Sequence, residues 1–148
     1  MTSGRIDGIE PRVFVAADYE AALALWKRCP GVGLSSADER EPILAFLERN
    51  AGLSFTAWAG DGLVGTSLCG SDGRRGYLYH VAVDPEFRRK GIGISLSSAS
   101  LEALAATGIR KCHLFVIADN ENGAAFWRAS GWKPRGDIAV FSKELGLE

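Results

Sequence analysis

Residues 81–96 read Val-Ala-Val-Asp-Pro-Glu-Phe-Arg-Arg-Lys-Gly-Ile-Gly-Ile-Ser-Leu. An apolar run leads through a proline-containing loop to cationic side chains, spaced glycines and a second apolar stretch. The pattern is strand, loop, helix start. The first amides of a helix lack partners within it, and the aligned peptide dipoles add partial positive charge at that end. Gly91 and Gly93 remove side chains there, so a diphosphate can reach the amides. Arg88, Arg89 and Lys90 add full charges at the same place. The segment is a candidate diphosphate cradle, yet it is neither of the common nucleotide loops. Leu96 stands where a dinucleotide fingerprint needs its third glycine, and Arg110 and Lys111 fall where its acidic residue belongs. A P-loop needs Gly-Lys followed by Ser or Thr, and the chain contains no Gly-Lys pair.

The strand before this loop carries the groups that can move protons. Simple alternation along Tyr77 to Val83 puts Tyr77 and Tyr79 on one face and Leu78, His80 and Ala82 on the other. An imidazole titrates near neutrality, so His80 suits a general base; the alternative is a hydrogen-bonded structural histidine. Tyr79 can orient a water or a substrate, or pack in the core. Asp84, ahead of Pro85, reads as a turn-former. His113 has no acidic partner in sequence and reads as structural. Arg74-Arg75 reads as a solvated turn.

The elements that position these groups follow from periodicity and punctuation. Arg12 to Val15 is a short strand. Asp18 can cap a helix with Ala22, Leu25 and Trp26 on one face, stopped by Pro30 and Gly31. Ser36 and Glu39 have capping-box spacing ahead of a second helix with a stripe of Ile43, Leu44, Phe46 and Leu47. Leu53 to Ala59 and Leu63 to Leu68 flank Gly60-Asp61-Gly62, a hairpin turn. Tyr77 to Val83 is the next strand. A helix over about 91–106 closes at Gly108, Lys111 to Ile117 is a buried strand, and a helix over about 122–129 ends at Gly131. Trp132 to Lys133 and Ile138 to Lys143 are the last expected strands. This order predicts a mixed α/β fold, a sheet with helices on its faces.

With 148 residues, the chain suits one domain spanning 1–148. Seventeen Lys and Arg against eighteen Asp and Glu give a net charge of −1, which argues against a nucleic-acid or anionic-membrane binder. Cys29, Cys69 and Cys112 are odd in number and widely spaced, so they form neither a disulfide framework nor a zinc site. Reduced thiols and the absence of an apolar run in Met1 to Asp7 point to the cytoplasm. No stretch approaches the roughly 20 apolar residues of a membrane span. The 18 glycines, about 12% against a usual 7%, mean many turns or close backbone approaches.

Arg88-x-x-Gly91-x-Gly93, directly after Tyr79-His80-Val81-Ala82-Val83-Asp84-Pro85, resembles the signature of the GNAT N-acetyltransferase superfamily. Asn120 to Trp127 followed by Gly131-Trp132 is similar to that family's second Asn…Phe-Tyr…Gly-Phe segment. The two motifs stand in family order, and the resemblance covers about 12–144. It implies a mixed, mostly antiparallel sheet of six to seven strands with a splayed parallel pair, flanked by about four helices. It also implies acetyl-CoA as co-substrate, with no metal. Tyr77 to Val83 and Lys111 to Ile117 become the splayed pair, and the pantetheine arm pairs with the freed backbone of Val81, Ala82 and Val83. The Val81 N–H becomes the oxyanion donor. Arg88, Arg89, Lys90, Gly91, Ile92, Gly93, Ile94 and Ser95 hold the pyrophosphate. Asn120 bonds the pantetheine, and Phe126 and Trp127 wall the channel.

The implied reaction is direct attack of a neutral primary amine on the acetyl carbonyl. Thiolate is a fair leaving group, so positioning and carbonyl polarisation carry most of the gain. One departure stands out. Trp127 occupies the position of the family's tyrosine donor to the CoA sulfur, and an indole N–H cannot titrate as an acid near neutrality. Ser130, Tyr79 or water are the substitutes. Tyr79, His80, Val81 and Trp127 are therefore the candidate catalytic residues. The acceptor is a small-molecule or protein amine, and the resemblance allows a homodimer without marking an interface. The competing expectation is a non-catalytic acyl-CoA-binding or sensing module.

Overall fold

A computed structural model of the chain describes residues 8–146; the expectation about Met1 to Asp7 lies outside the described residues. Two compact units divide it, Met1–Phe115 and Val116–Glu148.

The first unit holds a five-stranded sheet in the order β1-β2-β3-β4-β5. Its strands are β1 (Arg12–Val13), β2 (Phe55–Ala59), β3 (Gly62–Ser71), β4 (Gly76–Val83) and β5 (Cys112–Leu114), with helices α1 (Tyr19–Arg28), α2 (Arg40–Arg49) and α3 (Ile92–Ala106). Pairing is antiparallel through β4, and β4 and β5 run parallel. The helices take opposite faces. On one, the Trp26 indole of α1 donates to Thr66 Oγ1 at 2.9 Å, and a Cβ added to Gly70 would sit 2.7 Å from the Phe46 ring of α2. On the other, Ser100 of α3 meets Ser67 at 2.9 Å, and a Cβ at Gly65 would lie 2.7 Å from Leu96. Glycine in these strands lets helices approach.

The expected stripes pack as read: Ala22, Leu25, Trp26, Ile43 and Leu47 are buried around Leu63, Leu68 and Ala82, with Leu44 and Phe46 packed partly against them. The capping box lies one residue earlier than expected. Ser35 Oγ accepts from the Ala37 N–H and Asp38 Oδ2 from the Ser35 N–H, closing a short 3₁₀ turn over Ser36–Asp38. This leaves Glu39 at the start of α2 without a side-chain cap.

The strand count differs from the six to seven expected. Lys111 to Ile117 pairs only over Cys112–Leu114, which face Gly76, Tyr77 and Leu78. The ladder stops just before β4 takes an extra residue. Thr66 faces Ala82 and Leu68 faces Tyr79, so Ser67 alone stands against His80 and Val81. Such a bulge bends its strand and interrupts pairing. In the second unit, α4 covers Glu121–Ala129, while Trp132 to Lys133 and Ile138 to Lys143 are not strands. Neither stretch finds a ladder partner among the described residues, and Pro134, which cannot donate to one, separates them.

Candidate active site

The bulge in β4 reorders the faces that alternation assigned. His80 adopts φ +47°, in the left-handed region. That single turn of the backbone sends its side chain to the α1–α2 face, where Tyr77 and Tyr79 stack on one another and Tyr79 meets Phe46. His80 therefore does not share a face with Leu78, as strict period-two reading required.

Its surroundings are specific. The His80 ring packs against Trp26 with centroids 4.8 Å apart, and its Nε2 lies 2.7 Å from Asp38 Oδ1. Thr66 Oγ1 donates to the His80 carbonyl at 2.8 Å while accepting from the Trp26 indole. The His80 and Asp38 side chains are only 15% and 10% exposed. Sequence reading found His80 but missed Asp38, Trp26 and Thr66 as its partners. The one available signal was the Ser35-x-x-Asp38 spacing, which is itself a cap pattern.

Past the bulge, β4 runs on to Val83 beyond the end of its ladder with β5, so Tyr79 to Val83 have no strand on that edge among the described residues. Unpaired strand backbone is a template for an extended ligand. The Val83 carbonyl is an exception, since it already accepts from Arg88 Nε at 3.2 Å and from the Cys29 thiol at 3.6 Å.

The chain then turns into the glycine loop. Asp84 Oδ1 accepts from the Glu86 N–H, and its own N–H donates to the Val64 carbonyl. Helix α3 starts behind Gly91 at φ +84°, a conformation suited to glycine, with no side-chain cap and no acidic residue in its first turn. Its first intrahelical bond runs from Ser95 to Gly91. Arg88, Arg89, Lys90 and Gly91 are exposed around that end. An uncapped N-terminus beside cationic side chains suits a phosphate group.

Burial pushes the Tyr79 phenol above its ordinary range, with Tyr77 and Cys112 adding to the shift. Tyr79 thus keeps its proton near neutrality and acts as a hydrogen-bonding hydroxyl, not as a base. Burial likewise pushes the Cys69 thiol up to about 12 and Cys112 to about 11. No disulfide forms among the three cysteines, and the last two are poor nucleophiles for that reason.

Asn120, Phe126 and Trp127 belong to the second unit. Asn120 Oδ1 caps α4 by accepting from the Gly123 N–H at 2.9 Å. Phe126 meets the Trp127 ring edge-on at 4.8 Å, and Trp127 meets Trp132 at 5.4 Å. The Ser130 hydroxyl donates to the Phe126 carbonyl at 2.7 Å, so its proton is engaged within the helix.

A model of the acetyltransferase (GNAT) family matches residues 12–132. The chain belongs to the GNAT acetyltransferase family. An acetyltransferase of Pectobacterium atrosepticum is 35% identical over 113 residues, covering 76% of this chain and 79% of that protein. Among solved structures, the PaiA N-acetyltransferase of Thermoplasma acidophilum in complex with coenzyme A superposes with a TM-score of 0.77 at 21% identity, over 88% of this chain and 92% of that one. The aminoglycoside enzyme AAC(6')-Iy, bound to a bisubstrate analogue of CoA and monomethyl-acetylneamine, gives 0.71 at 19% identity, over 93% and 99%. This GNAT chain is therefore an acyltransferase that uses acetyl-CoA, built on the family's mixed α/β fold, with four α-helices and one sheet among the described residues. Among its described residues no helix is long and apolar enough to cross a membrane.

Proposed function

We propose that the chain is an N-acetyltransferase that moves acetyl from acetyl-CoA to a primary amine by direct attack within a ternary complex. One observation carries the reading. The open edge of β4 after its bulge leads, through a short 3₁₀ turn over Pro85–Phe87, into the uncapped, cationic start of α3. An extended arm can pair along the first while its diphosphate meets the second.

In this reading Arg88, Arg89, Lys90 and the amides from Arg89 to Ile94, with Ser95 nearby, hold the pyrophosphate. The backbone of Val81 and Ala82 pairs with the pantetheine, and the Val81 N–H polarises the thioester carbonyl. Val83, whose carbonyl is filled, contributes through its side chain and N–H. His80 takes the proton of the attacking amine; Tyr79, which keeps its own, orients the acceptor. Asn120, Phe126 and Trp127 complete the donor channel, and residues 1–148 work as one catalytic domain in the cytoplasm. The acceptor is a small-molecule or protein amine, a choice supported by the acetylneamine held in AAC(6')-Iy.

The test is release of free thiol from acetyl-CoA in the presence of sisomicin, a linear diamine and a peptide with a free N-terminal alanine. Amine-dependent release supports the proposal. Tight CoA binding with no release across the panel would move the chain to a CoA-sensing role.

A further inference from the structure

The contact between Asp38 and His80 joins parts of the chain that sequence distance keeps 42 residues apart. Further hydrogen bonds hold both partners in place. Asp38 Oδ2 accepts from the Ser35 N–H at 2.9 Å, and its main-chain carbonyl accepts from the Tyr19 hydroxyl at 2.7 Å. Oδ2 and the main chain of Asp38 are thus both anchored, and Oδ1 lies 2.7 Å from His80 Nε2. On the other side, Trp26 covers the imidazole and Thr66 ties the His80 carbonyl. A left-handed non-glycine residue costs of order 1 kcal/mol or more and persists only where its surroundings over-determine it. Here α1, the 3₁₀ turn, β3 and β4 all contribute to holding one side chain.

Such a construction exceeds what tying two segments together requires. A carboxylate only accepts, so the proton at the contact sits on Nε2 and the lone pair is left on Nδ1. The next residue along the chain is Val81, whose N–H is the proposed oxyanion donor. Consecutive Cα atoms are about 3.8 Å apart, so the base and the oxyanion donor are adjacent in the chain.

We infer that Asp38 is a positioning residue that acts through His80, fixing the imidazole as the Nε2–H tautomer and leaving Nδ1 to receive the proton of the attacking amine. The inference rests on the reading of His80 as the base. As the amine nitrogen bonds to the acetyl carbon, its proton passes to Nδ1. The carbon–sulfur bond then breaks, and CoA leaves as thiolate with the bonding pair. The imidazolium keeps its Nε2–H on Asp38 until solvent or the thiolate takes the Nδ1 proton.

The experiment joins a spectroscopic readout to a kinetic one. The chain has two histidines, so ¹⁵N-labelled full-length protein shows two imidazole patterns, and His80→Gln identifies the one that matters. The expected wild-type pattern has Nε2 protonated and Nδ1 bare. In Asp38→Asn the carboxamide can donate to Nε2, and the single-tautomer pattern should be lost. With the same amine panel, Asp38→Asn should lower kcat about 10- to 100-fold and leave KM for acetyl-CoA within about twofold. Asp38→Glu should recover part of kcat. A purely structural contact would lower the melting temperature but leave kcat of the folded fraction intact. An Nδ1–H pattern in the wild type overturns the inference whether or not any variant folds. An active Asp38→Asn beside an inactive His80→Gln overturns it and spares the base. A fully active His80→Gln removes the base reading itself.

Discussion

Arg28 Nη2 and Asp84 Oδ2 meet at 2.9 Å, joining the last turn of α1 to the residue that follows β4. Asp84 also receives the Glu86 N–H and donates its own to Val64, so it sets where the strand becomes the cationic loop. The Arg28 side chain is 45% exposed, and pairs of that kind contribute about 0–1 kcal/mol. Replacing Arg28 by Ala should therefore leave the urea midpoint nearly unchanged. It should still weaken CoA binding several-fold in titration calorimetry, because the loop start loses one of its anchors. Unchanged CoA affinity would show that Glu86 and Val64 hold the loop unaided.

The same aspartate sets a pH dependence. The Glu86 N–H, with the Arg28 guanidinium next, holds the Asp84 carboxyl below its usual 3.8. A depressed carboxyl stabilises the fold above its unfolded value and loses that contribution as pH falls through its folded value. Asp84→Asn keeps an acceptor for Glu86 but no charge. Its stability deficit against the wild type should be full at pH 7 and shrink below about pH 4. Urea melts at pH 7 and pH 3 measure this, and an equal deficit at both would count against it.

Thr66 is a fully buried hub between Trp26 and His80. Thr66→Val keeps its shape but orphans an indole N–H and a carbonyl, each costing about 1–3 kcal/mol when buried. We expect a loss of about 2–4 kcal/mol. Thr66→Ser, which keeps the hydroxyl, should lose about 1 kcal/mol or less for its missing methyl. Equal losses for both would assign the effect to packing.

Gly65 links the sheet to the start of α3. An added Cβ would lie 2.7 Å from Leu96 Cδ1 and 3.1 Å from Ile92 Cγ2. Both belong to the first turns of the helix whose amides are proposed to hold the pyrophosphate. Gly65→Ala should cost about 1–3 kcal/mol by overpacking. It should also reduce CoA affinity, since the helix start must shift to make room. Retained affinity in the folded variant would mean that Leu96 yields by rotation and the helix does not move.

In the proposed reading, Trp127 stands where the family resemblance expects a tyrosine to serve the CoA sulfur. Trp127→Phe retains a smaller aromatic wall and removes the indole N–H with its five-membered ring. Turnover should fall slightly. A loss beyond about a hundredfold, roughly 2.7 kcal/mol, would assign the N–H a part in the reaction.

Much of this chain is legible one residue at a time. The glycines of the loop, the cations before them and the lack of a cap at α3 are local facts, and local facts are written in adjacent letters. The helix stripes around Trp26 and Ile43 follow from period alone. The positions of strand ends were less legible, because a strand exists only where a partner accepts its hydrogen bonds. Lys111 to Ile117 reads as one run, yet it pairs for three residues and stops where β4 bulges.

The family and its proposed anion cradle therefore come from spacing, since both rest on what neighbouring backbone atoms can do. The face on which His80 lies comes from a single inserted residue in the β3–β4 ladder, which no alternation rule contains. Its partner Asp38 comes from packing α1 and α2 against that ladder. A hydrogen bond between residues so far apart in sequence depends on where the chain returns to in space, and the letters between them do not encode it locally.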